Sequence, residues 1–152
     1  MAKVIMKKGD AVYPDLGDSF VFIPHVVNDE GAFGKGFAQA LANRWPETKR
    51  RYFDWRKSRT FKLGAIEIQP VDAQIAVVHM LCQQGLPGPN NPQPLNYEFL
   101  KQCLQKLNHV ALESCGEIHA PKIGCGLARG EWHCVRDLIE ACLSVPVTIY
   151  VP

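Results

Sequence analysis

Glycines concentrate in two segments that each follow a short apolar run. The first loop, residues 28–37, begins with Asn28 and Asp29 and contains Gly34-Lys35-Gly36, and the other segment, residues 121–130, contains Gly124-Cys125-Gly126 and is called the third loop. Glycines at the start of a helix let backbone N–H groups close on phosphate oxygens, and the helix dipole favours the bound anion. Two such loops would suit a ligand with more than one phosphate. The spacing alone fits equally well with two tight turns whose glycines adopt a positive φ.

Neither segment matches the common nucleotide-binding motifs. A Walker A loop would need glycine in place of Asp29 and serine or threonine in place of Gly36, and neither segment has the spacing Gly-x-Gly-x-x-Gly. A further polar segment lies between these two in the chain, at residues 82–85; it is called the second loop and carries the amides of Gln83 and Gln84. What these segments can do therefore depends on where the fold places them.

Apolar runs and helical periodicity predict the elements that position these loops. Strands are predicted at 4–7, 20–27, 65–69, 75–81, 117–120 and 146–151, and helices at 35–44, 46–57, 95–112 and 131–143. This alternation predicts a three-layer α/β/α fold with a mixed, largely parallel central sheet. Ligands of such sheets collect beyond the carboxyl ends of the strands, which is where the polar segments would lie.

Composition restricts the class of protein. The 152 residues are 47% hydrophobic and 21% charged, which suits one globular domain over residues 1–152 and excludes a disordered or fibrous chain. No apolar run is long enough for a membrane span or a signal peptide, so we expect a cytoplasmic protein. The six cysteines form no Cys-x-x-Cys pair, and Cys125, His133 and Cys134 lack the spacing of zinc ligands. We expect reduced thiols, no metal and no cofactor.

Positive charge is concentrated in residues 44–62, which hold eight basic and two acidic residues in a chain of net charge +2. Aromatic residues interleave with these charges, a pattern also seen in nucleic-acid-binding surfaces. The alternative is an amphipathic helix whose aromatic side chains pack inward and whose basic face is solvated. Because Tyr52 and Trp55 share one helical face, we favour the helix and consider nucleic acid an improbable partner.

Four parts of the chain together resemble a macro domain. They are Lys8-Gly9-Asp10, the loop at 28–37, the Pro-Lys-Ile-Gly-Cys-Gly-Leu run at 121–127, and the terminal strand at 147–150. The closest similarity is to the branch of the terminal ADP-ribose protein glycohydrolase and related bacterial macro domains, and it covers nearly the whole chain. The resemblance implies that the protein binds ADP-ribose, which many members of the family remove from modified proteins or small acyl esters.

The resemblance also implies a role for particular residues. Asp10, followed by Ala11, would accept a hydrogen bond from the adenine amino group, and Tyr150 would lie near the adenine ring. Backbone N–H groups of the third loop would bind the diphosphate, whereas Asn28 and the first glycine loop would surround the distal ribose. The implied binding set comprises Asp10, Ala11, Gly34, Lys35, Gly36, Gly124, Cys125, Gly126, Leu127, Ala128 and Tyr150. Asp10 and Asn28 as plain turn residues, and Tyr150 as a packing residue, remain alternatives.

Two departures from the family bear on mechanism. The glycohydrolase carries a lysine on the strand before the second loop, where our alignment places Gln69, and an aspartate after the Gly-Cys-Gly-Leu run, where this chain has Ala128. A mechanism through a lysine adduct is therefore excluded. We hypothesise instead that Asn28 orients the ribose hydroxyls and Gln83 positions water or the scissile ester. Asp29 would act as an auxiliary base or electrostatic partner, and an exposed turn carboxylate is the alternative.

The sequence thus supports two functions. The first is hydrolysis of ADP-ribose from glutamate or aspartate esters on modified proteins, because a carboxylate leaving group needs little acid assistance. The second is a reader module that binds ADP-ribose without turnover. Hydrolysis of small ADP-ribose esters is a further alternative. We expect ADP-ribose and ADP-ribosylated proteins as partners, no membrane association, and a monomer.

Overall fold

The computed structural model describes residues 3–152, and six strands within them form one sheet in the order β1-β6-β5-β2-β4-β3. Neighbouring strands are parallel except β3 and β4, which are antiparallel. This confirms the predicted mixed, largely parallel sheet. The strands are β1 (Val4–Lys8), β2 (Val21–Asn28), β3 (Ile66–Pro70), β4 (Ile75–Gln83), β5 (Glu117–Ala120) and β6 (Val147–Val151).

Helices cover both faces of the sheet, which confirms the three-layer α/β/α prediction. On one face, Leu104 and Ile139 pack with Phe22 and Val78 of the central strands, and on the other Leu41 packs with Ile23. No helix among residues 3–152 is long and apolar enough to cross a membrane. The helices are α1 (Gly36–Arg44), α2 (Glu47–Arg56), α3 (Tyr97–Glu113) and α4 (Trp132–Cys142).

Helix α3 begins two residues later than the sequence predicts. The side chain of Asn96 caps the helix by accepting a hydrogen bond from the N–H of Phe99 at 3.0 Å. Leu95 stays outside the helix because its N–H donates to the carbonyl of Ala128. Leu95, which the sequence predicts as the first residue of the helix, therefore connects the start of α3 to the third loop.

The basic segment folds as an amphipathic helix. In α2, Tyr52 and Trp55 are buried, as is Trp45 just before the helix, whereas Lys49 and Arg50 are exposed. The aromatic residues thus pack inward as the helical interpretation predicts. They place one face of α2 over the end of β2, next to the first loop.

Candidate functional site

A pocket of about 800 Å³ lies beyond the carboxyl ends of β2, β4 and β5. The strands contribute Asn28, Gln83 and, just after β5, Pro121. The first loop forms one wall and the third loop the other, and α2 adds Lys49 and Phe53. The pocket therefore occupies the predicted edge of the sheet, and the chain segments singled out in the sequence meet there.

The two glycine loops touch one another across this pocket. A Cβ built on Gly36 would lie 3.4 Å from Cδ1 of Leu127 in the third loop. Gly36 has φ +60° and Gly124 has φ +71°, so both occupy the left-handed region that favours glycine. The two interpretations of the spacing thus hold together, since the same glycines make tight turns and line one cavity.

Charge in the pocket is of one sign. Lys35, Lys49 and Lys122 line it, and among the described residues no aspartate or glutamate does. Lysine side chains and the backbone N–H groups of glycine loops are all hydrogen-bond donors. The site is therefore suited to an anionic ligand with many acceptor oxygens.

Asn28 lies at the pocket but its side chain is largely engaged within the first loop. Its Oδ1 accepts from the N–H groups of Glu30 at 3.0 Å and Ala32 at 3.1 Å, and its Nδ2 donates to the Ala32 carbonyl at 2.7 Å. The residue is 8% exposed. The amide holds the loop in shape, which is the turn role weighed as the alternative, and one Nδ2 hydrogen is left for a ligand.

Gln83 and Asp29 differ in their access to the pocket. Gln83 is buried and lines the cavity, with its Nε2 donating to the Gly85 carbonyl at 3.1 Å. Asp29 does not line it, because Oδ1 of its carboxylate accepts from the Gly85 N–H at 2.8 Å and so fastens the first loop to the second. Of the three predicted catalytic residues, the structure brings Asn28 and Gln83 to the pocket and leaves Asp29 behind its wall.

The third loop presents most of its predicted residues to the cavity. Gly124, Gly126, Leu127 and Ala128 line it, whereas Cys125 does not. Partial burial raises the pKa of the Cys125 thiol, so the sulfur stays protonated at neutral pH. The loop is closed internally by a hydrogen bond of 2.7 Å from the Gly130 N–H to the Gly124 carbonyl.

Asp10, Ala11 and Tyr150 lie outside this pocket, at the ends of β1 and β6. Asp10 is exposed and its Oδ1 accepts from the Val12 N–H at 2.9 Å, while Ala11 is buried. Tyr150 is only 4% exposed, and its hydroxyl lies 2.8 Å from Nδ1 of His119 and accepts from the Asp15 N–H at 2.9 Å. The structure therefore brings these three residues to the same edge of the sheet but not into the cavity.

The correspondence of Gln69 with the family's lysine is not supported by its position. Gln69 lies on β3, which runs antiparallel to β4, and it pairs with Val77 rather than with the pocket end of that strand. Its Nε2 donates to the Glu47 carbonyl at 3.1 Å. The strand that leads into the second loop is β4, and its last residue is Gln83.

Sequence reasoning missed several residues of the pocket: His25, Phe33, Phe37, Lys49, Phe53 and Lys122. The clearest available signal was His25, a titratable side chain within the otherwise apolar run at 20–27. Its Nε2 lies 2.8 Å from Nδ1 of His79 on β4. That contact joins residues 54 positions apart, so local patterns could not predict it.

A second group of polar side chains lies outside the pocket, at the start of α4. Glu131, His133 and Cys134 place one potential metal-ligand atom each within 4.8 Å of one another. His133 Nε2 is 3.4 Å from Cys134 Sγ, and these side chains are exposed or half-buried. The spacing rule did not indicate this group because its third member is a glutamate.

Solved structures provide the clearest comparisons. A protein of unknown function from Bacteroides thetaiotaomicron is 33% identical, with a TM-score of 0.92 and 97% of each chain covered. A macrodomain protein from Streptomyces coelicolor is 31% identical, with a TM-score of 0.86 and 99% of each chain covered. Thermosipho africanus DarTG, solved in complex with ADP-ribose, is 18% identical, with a TM-score of 0.77 over 98% of this chain and 41% of that one. This last similarity shows the fold alone.

Sequence comparison finds more distant relatives. No protein-family model matches the chain. The chromodomain-helicase-DNA-binding protein 1-like of Mus musculus is 25% identical over 93% of this chain, and that of Danio rerio is 24% identical over 90%. The chain spans only 17% and 14% of the length of these two relatives.

Proposed function

The chain belongs to the macrodomain family, and from that premise we propose that its pocket binds ADP-ribose. The observation that carries the proposal is the convergence of two glycine loops on one cavity of about 800 Å³ lined by lysines and by no carboxylate. Such a site suits the diphosphate, and the space beside Asn28 suits the distal ribose. A structural relative, Thermosipho africanus DarTG, was solved with ADP-ribose, which supports the choice of ligand.

A matched pair of glycine variants tests binding. Gly126 lines the pocket, has no heavy atom within 4 Å of an added Cβ and has no positive φ, so Gly126→Val adds bulk to the wall without strain. Gly17 has the same freedom outside the pocket and provides the control. Calorimetry should show ADP-ribose binding weakened roughly tenfold or more in Gly126→Val, because the added side chain competes for ligand space, and unchanged in Gly17→Val. Absence of binding to the unaltered protein contradicts the proposal.

We further propose that the protein hydrolyses ADP-ribose from acidic residues of modified proteins. A water oxygen would bond to the anomeric carbon of the distal ribose while the bond from that carbon to the acyl oxygen breaks. The bonding electrons leave with the carboxylate, and the proton of the water passes to a phosphate oxygen of the substrate. Gln83 would position the water and Asn28 the ribose hydroxyls, with no lysine adduct.

One observation favours the reader function instead. No carboxylate lines the pocket within residues 3–152, and the Asp29 carboxylate is bound to the Gly85 N–H. A carboxylate general base is thus missing from the cavity, which favours binding without turnover. Both functions require the same ligand, so they differ only in release.

Release of labelled ADP-ribose from a glutamate-modified protein separates the two functions. Hydrolysis requires release by the unaltered protein and its loss in Asn28→Ala or Gln83→Ala, with thermal unfolding measured to show that each variant is folded. Full release by both variants would contradict the assigned roles. Binding without any release would establish the reader function.

A further inference from the structure

Two histidines form a continuous buried chain of hydrogen bonds beneath the pocket. His25 on β2 pairs in register with His79 on β4, and they are 3% and 0% exposed. Their rings are joined by the contact of 2.8 Å between His25 Nε2 and His79 Nδ1. His79 Nε2 lies 2.9 Å from Oε1 of Gln69, whose Nε2 reaches the Glu47 carbonyl at 3.1 Å. The chain therefore runs from a main-chain oxygen of α2 to the floor of the pocket.

The donor at each of these hydrogen bonds can be assigned by starting from the Glu47 carbonyl. The Glu47 carbonyl can only accept, so the amide nitrogen of Gln69 must face it and the amide oxygen must face His79. That oxygen also only accepts, so His79 carries its proton on Nε2 and leaves Nδ1 bare. His25 must then donate from Nε2, and its Nδ1 is the bare nitrogen at the end of the chain.

Burial keeps both imidazole rings neutral, as this assignment of one proton to each ring requires. Desolvation lowers the pKa of His25 to about 3 and that of His79 well below its ordinary value. The rings of Phe33, Phe37 and His79 surround His25. A second proton on His79 would occupy Nδ1, which accepts from His25, and a second proton on His25 would occupy its bare Nδ1; at neutral pH neither ring carries one.

The bare nitrogen has access to the cavity. Nδ1 of His25 has no protein partner, yet no fully buried side-chain nitrogen or oxygen among the described residues lacks one. Nδ1 must therefore retain accessible surface, and the cavity that this surface can face is the pocket that His25 lines. The floor of the pocket thus presents a hydrogen-bond acceptor.

Side-chain hydrogen-bond acceptors are scarce on the other walls of the pocket. The three lysines only donate, and Oδ1 of Asn28 is already engaged by two backbone N–H groups. Among the described residues that line the pocket, the side-chain acceptors that remain for a ligand are Nδ1 of His25 and Oε1 of Gln83. Sugar hydroxyls must donate to such groups when they are removed from water, since a buried unpaired donor is destabilising.

We infer that His25 is a binding residue whose Nδ1 accepts a hydrogen bond from a hydroxyl of the sugar seated beside Asn28. His79 and Gln69 are positioning residues, because they hold His25 in the tautomer that accepts. This inference rests on the proposed binding of ADP-ribose. It adds a requirement for a hydroxyl donor to a site that otherwise recognises negative charge.

Nitrogen NMR of the unaltered protein tests the inference without any substitution. Two-bond ¹H–¹⁵N spectra at pH 7 should show His25 protonated on Nε2 and bare on Nδ1. Saturation with ADP-ribose should shift the Nδ1 resonance, and ADP, which lacks the distal ribose, should shift it much less. A proton on Nδ1, or an Nδ1 resonance unmoved by bound ADP-ribose, overturns the inference while the proposed function stands. Failure of ADP-ribose to bind by calorimetry overturns both.

Variants then separate binding from positioning. His25→Phe keeps the ring packing and removes the acceptor, so ADP-ribose should bind roughly tenfold more weakly. The same substitution at exposed His109 is the control and should leave affinity unchanged. Gln69→Leu, which lies outside the pocket, should allow a proton on His25 Nδ1 in the same spectra. If Gln69→Leu changes only thermal stability and not the tautomer, the positioning role is wrong.

Discussion

Two buried tyrosines support the two ends of the ligand-facing edge in different ways. At the pocket, the Tyr52 hydroxyl donates to the Asn28 carbonyl at 2.5 Å and accepts from the Gly31 N–H at 3.1 Å. At the β1–β6 end, the Tyr150 hydroxyl contacts His119 and the exposed loop at Asp15. The first hydroxyl fastens a loop that lines the cavity, whereas the second fastens a loop that covers the sheet. The cavity is thus shaped by a buried side chain, Tyr52, that does not line it.

Acid should have the largest effect, and it should act through the pocket end. Unfolded histidines gain protons as the pH falls below about 6.5, whereas His25, with a pKa of about 3, stays neutral in the folded protein. Stability is therefore lost between pH 6.5 and 3. From pH 7 to 5 His25 should lower the free energy of unfolding by about 2 kcal/mol, and His79, whose pKa is also lowered by burial, should add to the loss. Urea denaturation at these two pH values measures the loss.

The matching variant sharpens this prediction. His25→Phe removes one of the two buried histidines and leaves His79. The stability of this variant should therefore fall less steeply between pH 7 and 5 than that of the unaltered protein. The variant His109→Gln, at an exposed histidine, provides the control for removal of a histidine as such. An equally steep loss in His25→Phe would show that carboxylates elsewhere cause the acid sensitivity.

Removing the Tyr52 hydroxyl should have the next largest effect. Tyr52→Phe leaves a buried carbonyl and an N–H of the first loop without a partner, so the free energy of unfolding should fall by about 2 kcal/mol. The loop should also loosen, and affinity for ADP-ribose should fall with it. Chemical denaturation and calorimetry measure the two effects. A variant of lower stability with unchanged affinity would separate the loop's support from ligand binding.

Tyr150→Phe should be milder. Water can replace the hydroxyl at the exposed Asp15 N–H, and His119 keeps its contact of 3.0 Å with Glu117, so the loss should be about 1 kcal/mol. Affinity for ADP-ribose should stay within roughly twofold, because Tyr150 is only 4% exposed and lies outside the pocket. A large loss of affinity would show that the hydroxyl itself contacts the ligand.

Single lysines of the pocket should contribute least. Lys49→Ala removes one of three lining charges and should weaken ADP-ribose binding roughly threefold, with a larger effect at low salt because screening is weaker. Lys57, at the other end of α2 and outside the pocket, provides the control in Lys57→Ala. Calorimetry at two salt concentrations compares them. Equal effects of the two substitutions would mean that the helix attracts the anion as a whole.

The sequence predicted the fold well because its signals are local. The apolar run at 20–27, the periodicity of α3 and the burial of Tyr52 and Trp55 all arise from neighbours along the chain. Glycine loops after buried strands likewise predicted which edge of the sheet carries the pocket. The family resemblance added the ligand and pointed to Asn28 and Gln83.

What the sequence could not predict depends on pairing between distant residues. The antiparallel register of β3 removed Gln69 from the site, and the partnership of His25 with His79 exists only because β2 and β4 are neighbours. The sequence also offered the Asp29 carboxylate as a catalytic group, but in the structure it accepts a hydrogen bond from the Gly85 N–H. Which polar atoms remain free for a ligand is decided by these long-range contacts.

The way Leu95 meets the third loop has a consequence for the energetics of recognition. A Cβ on Gly124 would lie 2.8 Å from Cδ2 of Leu95, and one on Gly130 only 2.4 Å from the same atom, so the leucine fills the space beneath the loop. The loop is thereby held in its curved shape by the apolar core rather than by its ligand. Binding should then cost little conformational entropy, because the backbone N–H groups of the third loop are already ordered in the free protein.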